Sequence, residues 1–193
     1  MRVAAIDPGG FTGYCIMDAP VTLIEAGQGS ERAKILALCL SYEPDVVVVE
    51  DFKPQAGLPE WSPLPAPKVI GALEELCERE GVKLVTQVPA MKSRIDNTIL
   101  QIANLWQRGR PHANDAIRHA LYYLWFKQGY EHAEEVQRIL KQRVSLVKAR
   151  REEFHTNESL AQSRRKLLRV ALRKDFSEEG DSESSARRRT HDN

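Results

Sequence analysis

No stretch of this 193-residue chain approaches the roughly 18 consecutive apolar residues that a membrane-spanning helix needs. No purely aliphatic run, such as residues 46–49, exceeds four residues. The opening residues MRVAAIDPGG are broken by Asp7 and Pro8 before the apolar core of an export signal is complete, so a cytoplasmic protein is expected. Cysteine is scarce: Cys15, Cys39 and Cys77 lie far apart with no Cys-x-x-Cys pair. That pattern argues against a disulfide framework and against structural zinc, and for reduced thiols that fill a core. Internal repeats are absent, which excludes a solenoid. The length allows one α/β domain with an extension but falls short of two full enzyme domains.

What is there is organised unevenly. The 28 Lys and Arg nearly balance the 27 Asp and Glu, yet residues 1–126 hold 12 basic against 15 acidic side chains and residues 127–193 hold 16 against 12. Within the second part, residues 137–174 carry 12 basic and 3 acidic groups. Such a block is either a solvated helix face or a surface that meets phosphates.

Residues 2–7 are mostly apolar and end at a Pro-Gly-Gly turn, the profile of a buried strand. Residues 12–17 and 21–26 are short β-like runs, and the three together read as an antiparallel meander. Ser30 is placed to cap a helix over 31–42 with Ile35, Leu36, Cys39 and Leu40 at helical spacing. Residues 45–50 form a nearly all-valine strand, expected to be covered on both faces. Residues 52–67 contain five prolines and predict a long irregular loop. Helices are predicted over 68–80, 89–107 and 112–128, with a strand over 82–88. The order β-β-β-α-β-α-β-α implies an α/β fold, a mixed five-stranded sheet flanked by helices. Three segments follow from this reading: a domain over 1–129, a basic helical extension over 130–175 with helices at 131–153 and 157–175, and a polar, disordered tail over 176–193.

Carboxylates occur where burial should forbid them. Asp7 follows Val-Ala-Ala-Ile, Glu50 and Asp51 follow four valines, and Asp115 sits near the start of an otherwise apolar helix. Each has a plain reading as turn former, strand-end group or helix N-terminal charge. Together they repel one another, and a hard divalent cation is the natural compensation; carboxylate ligands suit Mg²⁺ or Mn²⁺ rather than zinc. Two such ions about 4 Å apart activate a water on one side of a phosphodiester and steady the leaving oxygen on the other. His112 precedes Asp115 by one helical turn, so both project from one face, and its imidazole is a candidate ligand or proton acceptor. Adjacent residues of a strand face opposite sides, so only one of Glu50 and Asp51 reaches such a site.

These residues resemble a known set. Ile6-Asp7-Pro8-Gly9-Gly10-Phe11-Thr12-Gly13-Tyr14 resembles the opening strand and turn of RuvC-type Holliday-junction resolvases, with a residue missing from the turn. Val46-Val47-Val48-Val49-Glu50 resembles their second acidic strand. His112-Ala113-Asn114-Asp115-Ala116 resembles the acidic helix near the end of their catalytic core, and Pro89-Ala90-Met91-Lys92 a Pro-and-Lys segment between the two. The resemblance spans residues 1–126. It implies an RNase H-like fold, Mg²⁺-dependent nicking of DNA with Mn²⁺ as a substitute, and a homodimer acting on two strands of a four-way junction. It also implies a metal site and catalytic set of Asp7, Glu50, His112 and Asp115, with Asp7 shared between ions and Lys92 at the scissile phosphate or its neighbour. Residues 117–124 are similar in texture to RuvC-like proteins of bacteriophages, which clear branches from replicated DNA. The proline-rich loop and the basic extension depart from the bacterial pattern.

Trp61 in that loop is a candidate for stacking on an opened base pair, and Lys53 and Lys68 at its edges for contact with DNA. Apolar residues recur at helical intervals between Val136 and Leu172, so the extension packs back on the domain, pairs with its copy or lies along DNA. Two rival readings stand. Asp7-Pro8-Gly9-Gly10-Phe11-Thr12-Gly13 is also close to the phosphate-binding turn of actin-like ATPases and sugar kinases, although those need a second domain. A catalytically inactive DNA-binding protein on the same fold is the other.

Overall fold

The computed structural model describes residues 1–52 and 64–186, apart from the side chains of 155, 156, 159, 163 and 166–186. Five strands form one mixed sheet: β1 (Arg2–Asp7), β2 (Thr12–Asp18), β3 (Thr22–Gly29), β4 (Val46–Glu50) and β5 (Lys83–Gln87), in the order β3-β2-β1-β4-β5. The first three are the expected antiparallel meander. β4 and β5 add to it in parallel, each reached through a helix. The fold is the RNase H-like arrangement.

Period-two alternation divides the strands between two cores. Val3, Ala5, Cys15, Met17, Val46 and Val48 face one way, onto α4 (Pro111–Tyr122) and Trp125. Ala4, Ile6, Ile16, Val47 and Val49 face the other, onto α1 (Arg32–Ser41) and α2 (Pro65–Glu80). Residues Val47 to Val49 are fully buried, as their unbroken valine run requires. Each such side chain contributes about 1.5–3 kcal/mol of apolar burial. The three cysteines are buried and free.

Four local differences from the sequence reading have physical causes. Ser30 does not cap α1; Glu31 stands at its N-cap with no side-chain hydrogen bond. α2 begins three residues early because Pro65 and Pro67 fit the first turn, where no backbone donor is needed. The helix expected over 89–107 is broken into a 3₁₀ helix (Pro89–Arg94) and the short α3 (Asn97–Ile102), because Asp96 takes extended backbone and accepts the Ile99 N–H at 2.9 Å. α4 passes into a π-helical turn (Tyr123–Lys127), beyond which the chain turns at Gly129, with φ 79°.

The sequence placed the end of the domain at Gly129. The first compact unit continues to Arg143, because Val136 and Ile139 are buried in the α4-side core and Arg143 pairs with Asp96 at 2.7 Å. The second unit begins at Val144. A single helix, α5 (Glu134–Ala186), replaces the two expected over 131–175 and continues past 176. No proline follows Pro111 and Gly180 is the only glycine in the span, so no residue there forces a break. No helix among the described residues is long and apolar enough to cross a membrane.

Candidate active site

In the parallel pairing of β1 and β4, Ile6 lies opposite Val49. The next residues, Asp7 and Glu50, therefore stand level at the carboxyl ends of neighbouring strands. Alternation sends both to the α4 face: Asp7 continues the series Val3, Ala5, and Glu50 the series Val46, Val48. Asp51 belongs to the opposite series, and its N–H closes the sheet edge onto the Gln87 carbonyl at 2.7 Å. Of the two adjacent carboxylates, Glu50 is the one on the face that carries Asp7.

α4 brings the remaining groups. Gly13, opposite Asp7 in the ladder, lets β2 pass against the start of this helix, since a Cβ there would lie 2.0 Å from the His112 carbonyl oxygen. Gln28 on β3 caps the same helix, its Oε1 accepting the N–H groups of His112 at 3.0 Å and Ala113 at 3.4 Å. So held, His112 Nδ1 lies 2.8 Å from Asp7 Oδ2. One turn on, Asp115 Oδ2 accepts from Lys92 Nζ at 2.8 Å, and the same ammonium donates to Glu50 Oε2 at 3.0 Å. Those two carboxylate oxygens are therefore no further apart than two hydrogen bonds end to end. Arg118 donates to Asp115 Oδ1, to Asn97 Oδ1 and, at 3.0 Å, to the Ile95 carbonyl, fixing the Asp115 side chain. On the next turn, His119 Nε2 lies 2.7 Å from Glu50 Oε2 and its Nδ1 2.7 Å from Gln87 Oε1.

The electrostatics follow the geometry. Burial raises the Asp7 carboxyl above its usual range and the like charges of Glu50 and Asp115 add to the shift, against the hydrogen bond from His112. Burial would also raise Glu50, but the bonds from His119 and Lys92 outweigh it and hold this carboxyl low. For Lys92, burial favours the neutral amine; its bonds to Asp115 and Glu50 outweigh that and strengthen the ammonium.

As placed, no three His, Cys, Asp or Glu side chains among the described residues enclose a metal ion. The cation between Glu50 and Asp115 is instead the Lys92 ammonium. The chemistry of the donors nonetheless suits a hard divalent cation: they are carboxylates and an imidazole, and two of the carboxylates are already gathered about a positive charge. Beside them runs an open cleft lined by Lys92, Ser93, Asn97, Thr98, Asp115 and Arg118. A more apolar groove lies between α1 and α2, on the opposite face of the sheet from these carboxylates. Openness suits a polymer substrate, whereas apolar enclosure suits a small ligand.

Of the residues singled out by sequence, Asp7, Glu50, His112, Asp115 and Lys92 are brought together. Lys68 is not among them; it is exposed on α2 and lines the α1–α2 groove. Lys53 and Trp61 lie outside the described residues. The sequence reading missed Gln28, Gln87, Arg118 and His119. For His119 a signal was present: it continues the stripe 112, 115, 119 at helical spacing along a helix otherwise apolar on its buried side.

No protein-family model matches the sequence, and no curated protein does. Solved structures do. Thermus thermophilus RuvC in complex with a Holliday junction substrate is 20% identical, with 67% of this chain and 97% of that chain covered and a TM-score of 0.53. A second T. thermophilus RuvC structure is 19% identical over 67% of this chain and 98% of its own, with a TM-score of 0.50. The fold is that of RuvC.

Proposed function

We propose that this protein is a divalent-metal-dependent endodeoxyribonuclease that nicks four-way junctions or other branched DNA, acting as a homodimer so that two sites reach two strands. One observation carries the reading: Asp7 paired with His112, and Glu50 and Asp115 joined through the Lys92 ammonium, lie at the carboxyl ends of β1 and β4 beside an open cleft whose wall includes Asp115 and Lys92. That the T. thermophilus RuvC of like fold was solved with a Holliday junction supports the choice of a branched substrate. Asp7, Glu50, Asp115 and His112 would hold Mg²⁺ or Mn²⁺. What such ions supply is charge neutralisation at the scissile phosphate and a more acidic attacking water.

The protein's own groups do the rest. Asp7 Oδ2, 2.8 Å from His112 Nδ1, sets the ring so that Nε2 faces away from Asp7, where it would either join the ligands of the ion or take the proton of an attacking water. Arg118 keeps Asp115 from turning to solvent. Lys92, once its carboxylate partners are otherwise neutralised, is the cation nearest to hand for a phosphate oxygen.

The test is an incubation of labelled four-way junction, flap and linear duplex with Mg²⁺, Mn²⁺ or EDTA. Cuts at branch points that need the metal are expected, and Asp7→Asn or Glu50→Gln should slow them beyond the roughly 10–100-fold effect of a change outside the ligand shell. Symmetric nicks confined to the junction mark a resolvase; cuts in every branched substrate mark a debranching nuclease. Cleavage undiminished in EDTA, or ATP turnover without any cleavage, refutes the reading.

A further inference from the structure

Two polar side chains lie within the α4 face of the sheet where an apolar pair would serve packing as well. Gln87, the last residue of β5, stands opposite Glu50 in the ladder and is 5% exposed; His119 is wholly buried. Leaving such groups unbonded costs about 1–3 kcal/mol each. Both are bonded, and their bonds run in one direction. Gln87 Nε2 donates to the His119 backbone carbonyl at 3.3 Å, which only a nitrogen can do, so the amide has one orientation. Its Oε1 then faces His119 Nδ1 at 2.7 Å, and Nδ1 carries a proton. The far ring nitrogen, Nε2, meets Glu50 Oε2 across 2.7 Å. Lys92 bonds to that same oxygen, and among the described residues no hydrogen bond falls on Oε1.

We infer that Gln87 and His119 are positioning residues that clamp Glu50 through Oε2, so that its Oε1 is presented to a divalent cation in an orientation fixed before the ion arrives. The inference rests on the metal-dependent reading above. A brace that served only the fold would leave metal affinity untouched when replaced by another folded side chain, and that difference is measurable.

The experiment is Mn²⁺ binding to the full-length chain without DNA, by calorimetry and by electron paramagnetic resonance of the free ion, with thermal melts in EDTA for every variant. His119→Gln places an amide nitrogen where Nε2 stands and keeps the bond to Glu50. His119→Asn places one where Nδ1 stands, keeps Gln87 and loses Glu50. His119→Asn should weaken Mn²⁺ binding roughly 10–100-fold, as loss of an outer-shell partner does, while His119→Gln stays within about threefold of the wild type. On junction DNA the KM should hold and kcat should fall for His119→Asn alone. Should His119→Asn fail to fold, Gln87→Met, which keeps the volume and frees the ring, should weaken Mn²⁺ about tenfold.

Wild-type affinity in folded His119→Asn or, failing that, in Gln87→Met overturns the inference, as does equal loss in the Asn and Gln variants. A wild type that takes up no Mn²⁺ overturns this inference and the nuclease reading together. The ordered series in Mn²⁺ binding without DNA cleavage upholds the clamp and removes the nuclease.

Discussion

Lys92 competes for the oxygens that a metal needs. Its ammonium, 29% exposed, is bonded to both Glu50 and Asp115, so any ion drawing on those carboxylates has to displace it. Lys92→Met removes the competitor and keeps the length of the side chain. We predict that Mn²⁺ then binds about fivefold more tightly, the equivalent of an ion pair worth on the order of 1 kcal/mol. DNA cleavage should fall at the same time for want of a phosphate contact. Weaker Mn²⁺ binding in this variant would show that Lys92 organises the carboxylates rather than competing with the ion. Gly13 is constrained differently. A methyl group there meets the His112 backbone, which cannot yield as a flexible side chain does. Gly13→Ala should lower stability by about 1–3 kcal/mol, the range of overpacking, and move His112 off Asp7; a melt and the cleavage assay check both. The site was half legible beforehand, for a physical reason. Asp7, Glu50 and Asp115 announce themselves as charges set in apolar runs, and His112 by its turn of helix before Asp115. Gln87 and His119 are 32 residues apart, and His119 and Glu50 are 69 apart. Only the register of β5 on β4 and the seating of α4 make them neighbours, and no local pattern encodes either.

The segment between β5 and α4 shows how one side chain redirects an element. Apolar spacing over 89–107 is helical, yet Asp96 interrupts it by offering its own carboxylate to the Ile99 N–H, while its other oxygen takes Arg143 at 2.7 Å. Burial alone would raise this carboxyl; the bonds from Arg143 and from the Ile99 backbone outweigh it, and it stays ionised below the usual aspartate range. A carboxyl lowered on folding adds stability above its unfolded pKa of about 3.9 and loses it as pH falls through the folded value. We therefore predict a stability gap between wild type and Asp96→Asn that is constant above about pH 5 and closes as the pH drops below about 4. Asparagine still caps a helix, so this gap isolates the half-exposed Arg143 pair and should be under about 1 kcal/mol. Asp96→Ala should cost about 1 kcal/mol more through the lost cap. A gap that persists unchanged at pH 3 would remove Arg143 from the account. The same contest explains what the sequence yields about elements. Strands stand out because continuous or alternating apolar runs have no rival reading, and all five were expected near their observed limits. Helix boundaries depend on whether a given polar side chain captures a backbone N–H, and Ser30 and Asp96 each did the opposite of what spacing alone suggests.

At the scale of the chain, charge and fold are separated. The unit Met1–Arg143 contains the sheet, both cores and every residue of the candidate site. From Val144 on the described chain is helix, and residues 144–174 hold nine Lys and Arg against three Asp and Glu. That helix also carries exposed apolar side chains, Val144, Val147, Phe154 and Leu160. Basic and apolar groups point to different partners: phosphates for the first, a second copy of the helix for the second. Counterion release separates the two. Each phosphate neutralised adds about 0.9 to the slope of log affinity against log salt on duplex DNA, whereas burial of apolar surface adds almost nothing to it. We predict that a chain ending at Arg143 melts within a few degrees of the full length, since it retains both cores. It should bind junction and duplex more weakly, with a salt slope shallower by at least about 2, the loss of two or more phosphate contacts. Anisotropy titrations between about 50 and 200 mM salt measure this directly. An unchanged slope accompanied by conversion of a dimer to a monomer in light scattering would reassign the helix to pairing. In that event a junction would still be cut, but on one strand, because a lone site has no partner to reach the other.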